Sequence, residues 1–174
     1  MEHISAATGF VESKKSASGI YRKTHKRHAS VRAKGLVSWE IHGPTKQAPR
    51  TFTPSDIVEI VKTGLPLTEL EDLRGDLDLP MEKLAAKVGL SKTTLHRRKD
   101  TGRLDTHASD RVLRFARLLG KATEVMGSLK EGRKWLMSEQ FGLGGAVPLD
   151  YASTEVGARE VDNLLTRIYH GVYS

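Results

Sequence analysis

From Thr51 onward, large apolar residues recur every three or four positions, the spacing that gathers them on one face of an α-helix. Thr53-Pro54-Ser55-Asp56 predicts a helix start, with Thr53 as N-cap, proline at the first position and an acid at the third. Ile57, Ile60 and Val61 supply the buried face, and Gly64 with Pro66 ends the helix. Leu67, Leu70 and Leu73 predict a second short helix stopped at Gly75. Asp78 and Pro80 then open two shorter helices over residues 81–98. In the first, Leu84 and Val88 share a face, small Ala85 admits a close neighbour, and Gly89 permits a left-handed exit. Ser91 predicts the N-cap of the second, which buries Leu95 and closes at Gly102.

The longest pattern follows Thr106, where Val112, Phe115, Ala116, Leu119, Ala122 and Val125 or Met126 form one stripe. Arg111, Arg114 and Arg117 fall mostly off it. Ser128-Leu-Lys-Glu131 reads as a capping box, starting a helix whose Leu129, Gly132, Trp135 and Leu136 face inward. At that spacing Trp135 is a core residue. Residues 141–148 are a turn-rich connector, and a last helix runs from Thr154 through Val156, Val161, Leu164, Leu165 and Ile168 to Gly171. The expected fold class is therefore all-α. Before residue 50 the helical signal fails. Residues 1–35 are rich in Ser, Ala, Gly and basic residues and read as a disordered arm. Leu36–Ile41 alternates like a strand around Trp39, giving a short strand or a tether. The expected organisation is an arm over 1–50, a helix-turn-helix domain over 51–120 and a second helical domain over 121–174.

Charge sharpens this picture. The net formal charge of +7 divides into +7 over residues 1–50, −5 over 51–80, +6 over 81–117 and −1 over 118–174. One basic block coincides with the paired short helices, which have the grammar of a helix-turn-helix whose second helix enters the DNA major groove. Ser91, Lys92, Thr93, Thr94 and His96 offer hydrogen-bonding or cationic groups to base edges and phosphates. Arg97, Arg98, Lys99 and Arg103 suit phosphate contacts. The run from Tyr21 to His28 either lies along phosphates or is an idle, solubilising tail.

At this point the chain resembles a known family. Trp135-Leu136, Leu143-Gly144-Gly145, Pro148-Leu149-Asp150, Thr154, Gly157, Val161, Leu165 and Ile168-Tyr-His-Gly171 follow the spacing of the Xre/MbcA/ParS toxin-binding domain. Leu95-His-Arg-Arg, Gly102-Arg-Leu and Ser109 to Ala116 are similar to the helix-turn-helix half of the same antitoxins. The resemblance spans about residues 54–174. Gly132 departs from it, standing where the family often has alanine. What it implies is a type II antitoxin that sterically silences a cognate toxin, most often a RES-domain protein that destroys NAD, and represses its own operon. By that analogy the last helix and the tail after Gly171 face the toxin, with His170, Gly171, Val172 and Tyr173 in the expected contact. Arg159 and Arg167, eight apart and on one side with Asn163, either offer the toxin cationic donors or are ordinary solvated charges. A homodimer is expected, because helix-turn-helix proteins read paired half-sites. Two other readings stay open: a regulator without a toxin, whose C-terminal half only dimerises, and a protein-binding antitoxin that no longer uses its helix-turn-helix.

Other chemistry finds little support. The chain has no cysteine, which removes disulfides, thiolate metal sites and a thiol nucleophile. His25 and His28 lack a third ligand nearby. The glycines at 142–145 are not followed by the Lys-Ser/Thr of a phosphate loop, and no nucleophile–base–acid set is visible. The expectation is a cytoplasmic protein that is not an enzyme and needs neither cofactor nor metal, with no signal peptide and no apolar run of membrane-spanning length.

Overall fold

The computed structural model describes residues 35–44 and 52–172, all helix and connector, with no strand longer than a single bridge among them. The helices are α1 (Leu36–His42), α2 (Pro54–Thr63), α3 (Leu67–Leu77), α4 (Met81–Lys87), α5 (Lys92–Thr101), α6 (Thr106–Met126), α7 (Leu129–Leu136), α8 (Pro148–Tyr151) and α9 (Glu155–Tyr169). A 3-10 turn at Phe141–Leu143 precedes α8.

Local chemistry sets most of the helix starts. Thr53 and Asp56 form a reciprocal capping box at the head of α2. Ser91, Asp105, Ser128 and Thr154 each accept the amide three residues on, at the heads of α5, α6, α7 and α9. Helix α3 runs through Gly75 to Leu77, past the expected stop. It ends where Asp78 takes a left-handed conformation at φ 54°, one that an aspartate tolerates better than most residues. Arg133 of α7 reaches that end, donating to the Asp76 carbonyl at 2.8 Å and pairing with the Asp78 carboxylate at 3.3 Å.

Helix α6 is the axis of the molecule and packs against α1, α2, α3, α7 and α9. Its Val112, Leu113, Phe115, Ala116, Leu118, Leu119 and Ala122 are buried, while Val125 and Met126 are only half-buried. Helix α7 crosses it so closely that a Cβ on Gly132 would stand 2.7 Å from the Thr123 amide nitrogen. The departure from alanine at that position is thus a packing requirement. Gly132 and Leu136 take the interior, whereas Leu129 and Trp135 sit half-buried at its rim. The core role expected for Trp135 is therefore only partly met. In α9 the interior belongs to Ala158, Val161 and Leu165, and Val156 in the first turn faces outward.

Residues 36–42 depart most from expectation. Of the expected arm, residues 1–34 and 45–50 lie outside the described residues, but Leu36–His42 is a helix, neither strand nor tether. Leu36, Val37 and Ile41 are buried against α6 and α3. Seven residues are too few to hold a helix in water alone. Residues far along the chain hold this one. The buried Glu69 of α3 accepts from the amides of Gly35 at 2.6 Å and Val37 at 2.8 Å, occupying the orphan donors of the first turn. At the other end, Gly120 of α6 leaves room for the α1 backbone, since a Cβ there would meet the Glu40 carbonyl oxygen at 2.3 Å.

Candidate nucleic-acid and protein interfaces

The α4–α5 turn is built as its residues suggest. The Leu90 amide donates to the Ala85 carbonyl and the Gly89 amide to that of Ala86, a Schellman pair with Gly89 left-handed at φ 80°. Leu84, Ala85, Val88, Leu90 and Leu95 are buried, so one apolar wedge fixes the angle between the two helices. Arg111 of α6 lies across the turn and donates to the Val88 carbonyl at 3.3 Å. Its guanidinium occupies the space a Cβ on Gly89 would take, with Nη1 2.0 Å from that position. Lys87 pairs with Asp150 of α8. The turn is therefore tied to both α6 and α8.

On this frame α5 displays its polar side. The Ser91 hydroxyl accepts from the Thr94 amide at 3.1 Å and lies 2.9 Å from the Thr94 hydroxyl. Both residues are thus spent largely on the cap, and Thr94 is half-buried. Lys92, Thr93, His96, Arg97 and Lys99 are exposed. Lys92, Thr93, His96 and Lys99 border an open groove of about 670 Å³ between α4 and α5, floored by Ala85, Leu90 and Leu95.

Two of the basic residues expected on DNA have work inside the fold. Arg98 pairs with Asp105 at 3.0 Å, and its Nε is buried without a hydrogen bond. Asp105 also caps α6. The Ala108 amide, helped by the Arg98 guanidinium, holds its carboxyl below the usual aspartate range even though partial burial pushes the other way. Arg103 donates through Nε and Nη2 to the Gly64 carbonyl at 3.2 and 2.8 Å. It clasps the α2–α3 link to the α5–α6 link, where Leu67 donates to Gly102 and Leu104 to Leu65. Counting charges in the sequence gives no sign of either commitment.

The residues expected to face a protein partner fall into two groups. Arg159 and Asn163 are exposed and line a cleft of about 300 Å³ between α6 and α9, together with Arg114, Arg117, Glu155 and Asp162. Its charges are matched: Arg114 to Asp110 and Glu155, Arg159 to Glu155, Arg117 to Glu40, and Lys121 to Asp162. The other group sits at the end of α9. Arg167 is half-buried with an unpaired, buried Nε, His170 meets the Tyr169 ring edge-on at 5.2 Å, and Gly171 turns left-handed ahead of exposed Val172. Tyr173 lies outside the described residues. The large apolar residue that sequence reading passed over is Phe141, fully exposed on the 3-10 turn. Inside a glycine-rich connector it belongs to no periodic pattern that would mark it.

Comparison with known proteins adds two matches in sequence order. The family model described as the Antitoxin Xre-like helix-turn-helix domain matches residues 56–117. That of the Antitoxin Xre/MbcA/ParS C-terminal toxin-binding domain matches residues 121–171. Antitoxin Xre of Yersinia enterocolitica serotype O:8 / biotype 1B is 29% identical over 120 residues, covering 68% of this chain and 81% of the relative. Antitoxin Xre of Photorhabdus laumondii subsp. laumondii is 28% identical over 117 residues, covering 66% and 79%.

Proposed function

Because the chain belongs to the Xre/MbcA/ParS antitoxin family, joining its helix-turn-helix to its toxin-binding domain, we propose that it silences a RES-domain, NAD-degrading toxin and represses its own operon as a cytoplasmic homodimer. Residues 121–174 would occlude the toxin's substrate cleft, and residues 51–120 would read the operator. The observation that carries the toxin half of this reading is the match of residues 121–171 to a toxin-binding domain.

The test uses the product of the adjoining reading frame. Expressed alone, it should arrest growth and deplete cellular NAD; expressed with this chain, both should recover. NAD that stays level during arrest rejects the RES assignment, and arrest that persists on co-expression rejects neutralisation. Cutting the chain before Thr154 is a poor substitute, since α9 brings Val161 and Leu165 into the core.

The operator half rests on α5. Lys92, Thr93, His96, Arg97 and Lys99 are exposed and have no side-chain partner among the described residues, whereas Arg98 and Arg103 are engaged within the fold. Phosphate duty therefore falls to Arg97 and the lysines. Thr93→Ala should lose about 1–3 kcal/mol on operator sequence while leaving non-specific binding intact. Arg97→Ala should weaken binding to every sequence and flatten the salt slope by about one unit. Titrations of operator and scrambled duplexes at several salt concentrations separate the two. Parental behaviour in both variants would take α5 out of the groove. Half-sites about one helical turn apart are the expected footprint of the dimer.

A further inference from the structure

Phe141 is a large apolar residue held fully in solvent on a stiff support. The Gln140 amide donates to the Ala146 carbonyl, the Gly145 amide to that of Gln140, and the Gly144 amide to that of Phe141 itself. The Gln140 side-chain amide donates to the carbonyls of Trp135 and Ser138, fastening the turn to the end of α7. On its other side the turn presses against α9. A Cβ on Gly142 would stand 2.7 Å from Leu164 Cδ1, which places the turn in close contact with that side chain. Leu164 and Ile168 are four apart on α9, both half-buried, and beyond them Tyr169 and Val172 are 62% and 53% exposed. Leaving a phenylalanine in water forgoes about 1.5–3 kcal/mol of burial. A ring carried on a pinned backbone loses little further freedom when it docks, which favours its use as an anchor.

We propose that Phe141 anchors this chain in an apolar pocket on its toxin, with half-buried Ile168, one turn on from Leu164 along α9, extending the contact. This rests on the toxin-binding reading above. Phe141 and Ile168 lie within the residues that match the toxin-binding domain. The size of the patch also separates the candidates for its occupant. An aromatic side chain buries about 150–250 Å², so these few residues together supply on the order of a few hundred Å². A stable interface takes roughly 800 Å² from each partner. A second copy seated on this patch alone would fall well short. An anchor inside a broader polar contact has the right scale.

The full-length chain is titrated calorimetrically with the purified product of the adjoining reading frame, alongside Phe141→Ala and Phe141→Asp. Sedimentation velocity and thermal melting accompany each variant, and the side chain's exposure predicts unchanged melting. Phe141→Ala should weaken binding by about 30-fold or more, and Phe141→Asp should abolish it, with the oligomeric state unchanged. Parental affinity in both variants overturns the anchor while the parent's own binding keeps the toxin-binding reading intact. Phe141→Asp that yields monomers with toxin affinity retained also overturns it, making the patch a self-association surface. If the parent fails to bind that protein, the toxin-binding reading falls and the anchor with it.

Discussion

A chain shortened to begin at Phe52 will not fold cooperatively at 25 °C, even though it retains every residue matched to the family's two domains. The loss of α1 removes Leu36, Val37 and Ile41, three apolar side chains buried on α6 and α3. Truncating one buried aliphatic residue to alanine costs about 2–5 kcal/mol when the site cannot collapse. Three such losses together rival the entire stability of a typical domain, about 5–15 kcal/mol. The vacated surface would include the bare backbone at Gly120 and the uncapped carboxylate of Glu69. Circular dichroism melts and dye binding on the shortened and full chains provide the measurement. A sigmoidal transition at the parental temperature in the shortened chain would show that α1 is dispensable. A synthetic peptide of residues 35–44, added in excess, should restore part of the transition if packing is what was lost.

Glu69→Ala should destabilise the protein by about 3–5 kcal/mol, because it leaves the part-buried amide of Gly35 and the buried amide of Val37 without an acceptor. Each orphaned donor costs about 1–3 kcal/mol, and the shorter side chain adds a cavity. The pH dependence has a definite sign. Burial pushes the Glu69 carboxyl above its ordinary value, outweighing the amides of Val37, Gly35 and Leu36 that favour the charged form, while nearby Asp72 pushes it further up. Its folded state therefore binds protons more tightly than its unfolded state. The stability it contributes is fully present below the ordinary value of 4.5 and declines as pH rises through the higher folded value. Chemical denaturation of parent and Glu69→Ala across pH 4 to 8 should show the gap narrowing toward alkaline pH. A gap that widens instead would mean the amides dominate over burial. Glu40, raised by burial in spite of Arg117, acts in the same direction but is common to both proteins and cancels in the difference.

Where structure follows from neighbours in the chain, the sequence is legible. Thr53, Ser91, Ser128 and Thr154 cap the helices whose starts they announce, although Ser128 shows only its own half of a box. Gly89 and Gly102 end theirs in left-handed turns. The stripe from Val112 to Ala122 faces the core. Where structure is held by residues far along the chain, the local pattern misleads. Helix α1 alternates like a strand, yet Glu69 and Gly120, 33 and 84 residues beyond Leu36, make it a helix. A glycine inside the apolar stripe of α6 was the one available hint that another backbone comes close. The candidate interfaces divide in the same way. Exposed Lys92, Thr93 and Arg97 follow from helix phase, whereas the internal partners of Arg98 and Arg103 depend on tertiary placement. Phe141 carried no periodic signal at all, being a single aromatic among glycines.

One unbroken helix of 21 residues, α6, receives Arg111's clasp on the α4–α5 turn near its start and the packing of α7 near its finish. Both ends of that rod are packed against a neighbouring element. In the proposed dimer, the separation and tilt of the two copies of α5 would be inherited from the junction between them as from a pair of rigid calipers. The distance between half-sites in the DNA would then be a ruler reading of the assembly itself.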